Sequence, residues 1–554
     1  TETDEETVYS FAELQREVER MAAIYLSLGV KKGDRVLIYM PMVAQACFAI
    51  LASARIGAIH SVVFGGFASG SLATRIDDAK PVLIVSSDAG MRGGKAVPYK
   101  HLLDEAIELS ENKPTKVLMI DRGLDKEFNK VAGRDVDYAT LRAQFMDAQV
   151  PCEWLESSEP SYILYTSGTT GKPKGVQRDT GGYAVALAST MKHIYCGGEG
   201  ETFFSTSDIG WVVGHSYIIY GPLIAGMATV MYEGTPLRPD AGIWWKIVEQ
   251  YKVSVMFSAP TAARVLKKQD PAFMHKYDLS SLKHIFMAGE PLDQPTHEWF
   301  MGELGIPVID NYWQTETGWP MLAACPGVEK TKIKFGSPSF PVYGYNLNIY
   351  REDGSICGAN EKGIAAVVPP LPPGCLSTVW GQDERFISTY FDLFKDPLVY
   401  SSYDWAIKDD DGYYTILGRT DDVINVAGHR LGTREIEEAI QNHPAIAEVA
   451  VVGVEDKLKG QVPMAFAVVK DAARVATPEL VKALEKEVFG TVDSILGAIG
   501  RPARVHFVTG LPKTRSGKML RRSLQALAEG RDPGDLTTID DPSTLEQIKT
   551  ALAN

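Results

Sequence analysis

An apolar strand runs into a segment of small hydroxyl residues, glycines and two lysines at Ser161–Val176, SYILYTSGTTGKPKGV. Glycine and hydroxyl residues let main-chain N–H groups approach anionic oxygens closely, and Lys172 and Lys174 add positive charge. Thr166, Ser167, Gly168, Thr169 and Thr170 are the donors such a loop offers to a polyphosphate. It is not a Walker A loop, because Lys172 is followed by Pro173 where that pattern needs Ser or Thr. On composition alone the run also fits a solvated turn.

The full string is more specific, and other motifs follow it in order: Gly289–Glu290–Pro291 after an expected strand His284–Ala288, then DNYWQTET at Asp310–Thr317. Further on come Asp404 in YDW, GRTDD at Gly418–Asp422, VAGHRLG at Val426–Gly432 and PKTRSGK at Pro512–Lys518. Together they resemble the adenylate-forming superfamily, which includes acyl-CoA synthetases, peptide-synthetase adenylation domains and luciferases. The resemblance implies ATP and Mg2+ as requirements. It places Gly289, Glu290, Pro291, Asp310, Asn311, Tyr312, Trp313, Gln314 and Thr315 around the nucleotide. It gives Thr315 to a phosphate, Glu316 and Thr166 to the metal, and Asp404 and Arg419 to the ribose. Arg430 then lies near the phosphate, Asp421 is the hinge, and Lys518 is the catalytic lysine. Many relatives carry Gly just before that Asp, and this chain has Tyr403.

The chemistry explains why these residue types are needed. A carboxylate is a poor electrophile that repels the ATP it must attack. Magnesium, Lys518, Thr315 and the loop donors would neutralise charge at the α-phosphate while the acid is held in line. The resemblance further implies that a thiol then displaces AMP from the acyl-adenylate, after the small domain has rotated about the hinge. No G-x-S-x-G elbow suggests a covalent acyl-enzyme.

FSTSDIGWVVGHSYIIYGPL at Phe204–Leu223 resembles the short-chain branch, the acetyl- and propionyl-CoA synthetases. In that branch Trp313 would block the acyl pocket, with Val212, Val213 and Ala288 shaping it. Acetate-specific relatives usually carry Val where Ala288 stands, and a buried methylene contributes on the order of 0.8 kcal/mol. Propionate is therefore the expected acid, with acetate or 3-hydroxypropionate as alternatives. For coenzyme A, the resemblance assigns Arg92 and Lys95 to the 3′-phosphate and Phe64, Gly65, Gly66, Ala427 and Gly428 to the pantetheine arm. Phe64–Gly66 also fits a plain strand-ending turn. A third basic residue is expected near Val492–Ser494, where Asp493 stands. Lysine acyltransferase and deacylase partners at Lys518 are implied too, since acylation removes the charge that adenylation needs.

The elements that must position these residues alternate between strand and helix patterns. Helical spacing over Phe11–Leu28 and Ala44–Ile56 is interleaved with apolar runs Val36–Tyr39, His60–Phe64, Val82–Val85 and Lys116–Ile120. Such alternation predicts an α/β fold with parallel sheets covered on both faces. A large N-terminal adenylation domain is expected over 1–418, the hinge over 419–422, a smaller α+β domain over 423–530 and a peripheral tail over 531–554. By the same resemblance, relatives of this branch carry an N-terminal extension that is expected to precede Thr1.

At 554 residues the chain exceeds one compact core, and its net charge of -14 argues against nucleic-acid partners and acidic membranes. The six cysteines form no C-x-x-C pair, so no zinc or disulfide framework is expected, and the setting is read as cytoplasmic. The acidic start TETDEETVYSF is no signal peptide. Rival readings are a module loading a carrier-protein thiol, the ligase part of a larger enzyme, and a catalytically silent scaffold.

Overall fold

Strands buried on both faces read as continuous apolar runs, and Val36–Ile38, Leu83–Val85 and Val117–Ile120 form the middle of a sheet in this way. The computed structural model describes the chain except at residues 66, 68, 167–172, 291, 395, 421–422, 427–428, 457–459, 499, 515–518, 535, 537–538 and 554. The side chains of 423, 425–426 and 429–430 are likewise outside the description.

Packing divides the chain into two units, Thr1–Leu347 with Val367–Tyr400, and Asn348–Ala366 with Ser401–Asn554. In the first, strands Ile59–Val62, Arg35–Tyr39, Leu83–Ser87, Lys116–Ile120 and Asp135–Asp137 run parallel to their neighbours. Strand Pro160–Thr166 joins parallel to Ile59–Val62, and Lys174–Asp179 returns antiparallel beside it. Helix Phe11–Ser27 starts at a capping box in which Ser10 and Glu13 satisfy each other's end groups. Its buried face, with Met21, Ile24 and Tyr25, packs against Ala46, Phe48 and Ile50 of helix Ala44–Arg55.

A second sheet in this unit is parallel throughout: Ala228–Val230, Thr202–Ser205, Val253–Ser258, His284–Met287 and Val308–Asp310. Ala288 and the Asn311–Thr317 segment follow directly at the carboxyl ends of its last two strands. Ligands of open α/β sheets bind at that edge.

The second unit holds the sheet Leu347–Tyr350, Gly363–Val367, Tyr400–Lys408 and Tyr414–Arg419. It also holds a sheet in which long strands Ile446–Asp456 and Gly460–Val469 pair antiparallel beneath helices Thr433–Gln441 and Pro478–Leu496. The boundary expected at Gly418–Asp422 thus falls inside this unit, because the strand ending at Arg419 hydrogen-bonds with Tyr400–Lys408. The tail is not peripheral. Leu545 and Ile548 of helix Ser543–Ala553 are buried with Phe466, Val508 and Leu524, an apolar face that the polar composition concealed.

Candidate active site

Strands Pro160–Thr166 and Lys174–Asp179 place Thr166 opposite Lys174 at the mouth of the glycine-rich loop. Ser167, Gly168, Thr169, Thr170 and Lys172 lie outside the described residues, as do Gly66, Pro291, Asp421, Ala427, Gly428 and Lys518. The Thr166 hydroxyl is buried and has no hydrogen-bond partner among the described residues.

Lys174 is buried, and its Nζ donates to the Tyr390 hydroxyl at 2.9 Å and lies 3.4 Å from Glu316 Oε1. The Tyr390 hydroxyl in turn donates to Glu316 Oε1 at 2.6 Å. Lys174 Nζ also stands 4.8 Å from the centre of the Tyr390 ring, within cation–π range. Tyr390 ends helix Asp383–Tyr390 and stacks on Tyr400 at 5.2 Å. The Tyr400 hydroxyl donates to Gln314 Oε1 at 3.0 Å. The Asn311–Thr317 segment is folded tightly on itself: Gln314 N–H donates to Thr317 Oγ1, and Thr317 N–H to the Gln314 carbonyl. Thr315 and Glu316 are thereby presented at a turn. Tyr390 and Tyr400 had no motif to announce them; an aromatic pair flanking a helix end is the only trace in the sequence.

Asp310 and Asn311 are buried, and the Asn311 amide donates to the Tyr195 hydroxyl at 3.2 Å. Tyr312 bridges Leu322. Gly289 adopts φ 106°, a region that favours glycine. Glu290 pairs with Arg264 at 2.6 Å and accepts from Thr261.

Trp313 is half-buried and meets Tyr217 edge-on at 5.5 Å and Phe257 at 6.4 Å. Tyr217 belongs to a π-helical turn, His215–Tyr220, that continues directly from Val212–Gly214. Such widened turns cluster at functional sites because they re-aim side chains. Ala288 is buried, and its N–H donates to the carbonyl of Ser258, the neighbour of Phe257. The positions expected to shape an acyl pocket are therefore linked through Tyr217, Phe257 and Ser258. His60 and His215, the latter in the same π-helical turn as Tyr217, stack at 5.4 Å and are both fully buried. Burial drives the His215 pKa down to about 4, and burial together with His215 drives that of His60 well below its usual value. Asp208, a few residues before Val212, has its carboxyl pushed up to about 6 by burial, against a hydrogen bond from Gly210 N–H.

Arg92 and Lys95 face each other across the hairpin Gly90–Arg92/Lys95–Val97. The Arg92 guanidinium lies 6.0 Å from the Phe64 ring centre, which places it beside residues expected on the pantetheine path. The main-chain N–H groups of Gly93 and Gly94 both donate to the Glu2 carboxylate, at 2.9 and 2.6 Å, so this turn accepts an anion. Gly65 leaves no room for a side chain, since a Cβ there would overlap the Tyr99 ring.

In the second unit Asp404 is buried and lies 3.9 Å from Arg419, its partner across the strand pair. Tyr403, which departs from the family's Gly, has φ 57°, the left-handed conformation that Gly adopts at no steric cost. Asp493, found where a basic residue was expected, is held by Arg501 at 2.9 Å.

The chain matches the AMP-binding enzyme family over residues 2–367 and the AMP-binding enzyme C-terminal domain over residues 435–518. The chain belongs to the AMP-binding enzyme family. It is 61% identical over 553 residues to "Propionate--CoA ligase" of Escherichia coli (strain K12), covering 100% of this chain and 88% of the relative. "Acetyl-coenzyme A synthetase" of Rubrobacter xylanophilus is 42% identical over 556 residues, covering 100% and 84%. Among solved structures, acetoacetyl-CoA synthetase from Streptomyces lividans superposes with a TM-score of 0.86 at 26% identity, covering 100% of this chain and 83% of that one. An AMP-binding enzyme of this kind uses ATP, Mg2+ and CoA, which fits the Lys174, Thr166 and Glu316 cluster. No helix among the described residues is long and apolar enough to cross a membrane.

Proposed function

We propose that this enzyme is an AMP-forming propionate–CoA ligase, which makes propionyl-CoA from propionate, ATP and CoA through a propionyl-adenylate. The observation that carries the reading is 61% identity, over the whole chain, to a relative of that name. A half-buried Trp313 and a buried Ala288, at the two positions expected to bound the acyl group, support a short acid.

On this reading Lys174 and the loop donors bind the polyphosphate, Thr315 holds the α-phosphate, and Lys518 stabilises charge developing on it. The donor set fits magnesium: one carboxylate, Glu316, with a buried hydroxyl, Thr166, that has no partner among the described residues, suits an ion whose remaining ligands are phosphate oxygens and water. When bound, Mg2+ would supply Lewis-acid neutralisation of phosphate charge. Lys174 and Tyr390 fix the Glu316 carboxylate for that purpose. Asp404 and Arg419 are assigned to the ribose, Arg430 to phosphate, Asp421 to the hinge, and Arg92, Lys95, Phe64 and Gly65 to coenzyme A. A cytoplasmic setting and control by acylation of Lys518 belong to the same proposal. Acetate as a slower substrate is the second reading, favoured by the 42% identity to an acetyl-CoA synthetase.

Incubation with propionate, Mg·ATP and CoA tests the reaction type. Propionyl-CoA, AMP and pyrophosphate in equal amounts are expected; ADP and phosphate, or no thioester, would overturn it.

A further inference from the structure

Arg178 is fully buried on strand Lys174–Asp179, two pleats from Lys174 and on the same face. Its Nη1 donates to the carbonyls of Glu316 at 2.9 Å and Gly374 at 2.6 Å. Its Nη2 donates to the carbonyl of Thr315, and its Nε to the Tyr162 hydroxyl at 3.1 Å. The rings of Tyr162 and Tyr183 flank it at 5.7 and 5.5 Å. Among the described residues it forms no ion pair with a carboxylate; its charge is met by neutral oxygens and aromatic faces.

A buried charge costs several kcal/mol unless its hydrogen bonds are satisfied, and an apolar side chain would fill the same space more cheaply. The surroundings are nonetheless shaped to admit it. A Cβ on Gly318 would lie 2.8 Å from the guanidinium carbon, and Gly318 has φ 75°. The guanidinium's rigid planar fork aims separate N–H groups at two consecutive carbonyls, a fixed geometry that a lysine's compact ammonium lacks.

We propose that Arg178 is a positioning residue for the nucleotide site, clamping the Thr315–Glu316 main chain so that both side chains stay aligned for adenylation. Glu316 is thus fixed twice: its carboxylate by Tyr390 and Lys174, its main-chain carbonyl by Arg178. The inference rests on the proposed ligase reading and adds to it a residue that touches no substrate.

The test compares Arg178→Lys and Arg178→Met with the unmodified enzyme. It measures propionate-dependent ATP–pyrophosphate exchange, Mg·ATP binding by calorimetry, and CoA thiolysis of supplied propionyl-adenylate. A sub-ångström loss of alignment should slow exchange about 100-fold in Arg178→Met and about 10-fold in Arg178→Lys. Mg·ATP binding should weaken about 10-fold, while thiolysis stays within about threefold, because that step needs no pyrophosphate leaving group. Unchanged exchange and binding, or equal loss in both half-reactions, would reduce Arg178 to a packing element. If Arg178→Met does not fold, Tyr162→Phe removes one hydrogen-bond partner only. It should lower exchange selectively by about threefold, and no selective loss would also overturn the role. Absence of exchange in the unmodified enzyme would instead sink the ligase reading.

Discussion

The hydroxyl of Tyr390 donates to Glu316 Oε1 at 2.6 Å while accepting from Lys174 Nζ at 2.9 Å. One phenol thereby ties the strand that leaves the phosphate loop to the acidic turn that would hold magnesium. Tyr390→Phe keeps the stack on Tyr400 and the ring face under Lys174 but removes both hydrogen bonds. Adenylation should slow about 10-fold, with a higher Mg2+ requirement and a modestly lowered melting temperature. Exchange kinetics across a magnesium titration check this, and a Mg2+ requirement equal to that of the parent would contradict it.

The segments expected around the nucleotide are contiguous strings, so their residues need only one local turn to come together. Trp313, Gln314, Thr315 and Glu316 lie in a single folded segment, so sequence order delivers them together. Tyr390, Tyr400 and Arg178 were not legible. They reach Gln314, Glu316 and Thr315 from elements 74 to 138 positions away, where spacing carries no signal. The π-helical turn at His215–Tyr220 was hidden too, since an extra residue per turn leaves no pattern in so short a run. The apolar runs read as strands fall within a few residues of observed ones, as Lys116–Ile120 does. Helix Ser543–Ala553 was misjudged as peripheral because its buried face is only a few residues wide.

Ala288→Val should shift preference from propionate toward acetate. Each methylene lost from the pocket carries about 0.8 kcal/mol, a change of roughly fourfold in relative kcat/KM. Competition between the two acids under Mg·ATP and CoA measures it. An unchanged ratio would remove Ala288 from the specificity account.

The first unit should lose stability on acidification through its buried histidines. His215, driven down to about 4 by burial, stays neutral in the folded chain but protonates near 6.5 once unfolded. Its contribution is therefore fully present above pH 6.5 and is lost as pH falls toward 4, by about 3 kcal/mol. His60 acts in the same sense. Asp208 opposes them, because a carboxyl raised to about 6 favours the folded state most at low pH and loses that contribution as pH rises to 6. Urea midpoints should fall as pH is lowered from about 7.5 to about 4.5, and fall less steeply in His215→Gln. Equal slopes for the two proteins would contradict the assignment.

If Lys518 has the proposed role, Lys518→Ala should abolish adenylation yet largely spare thioester formation from supplied propionyl-adenylate, since on that reading its charge is needed only while pyrophosphate leaves. Paired half-reaction assays check the division. Equal loss of both would refute it.

The most direct test of the central claim is ATP–pyrophosphate exchange measured across straight-chain acids from formate to hexanoate. A ligase whose acyl pocket is closed by Trp313 and edged by Ala288 should show its maximum at propionate, a slower rate with acetate and little with hexanoate. No exchange with any acid, or a maximum at hexanoate, would contradict the account.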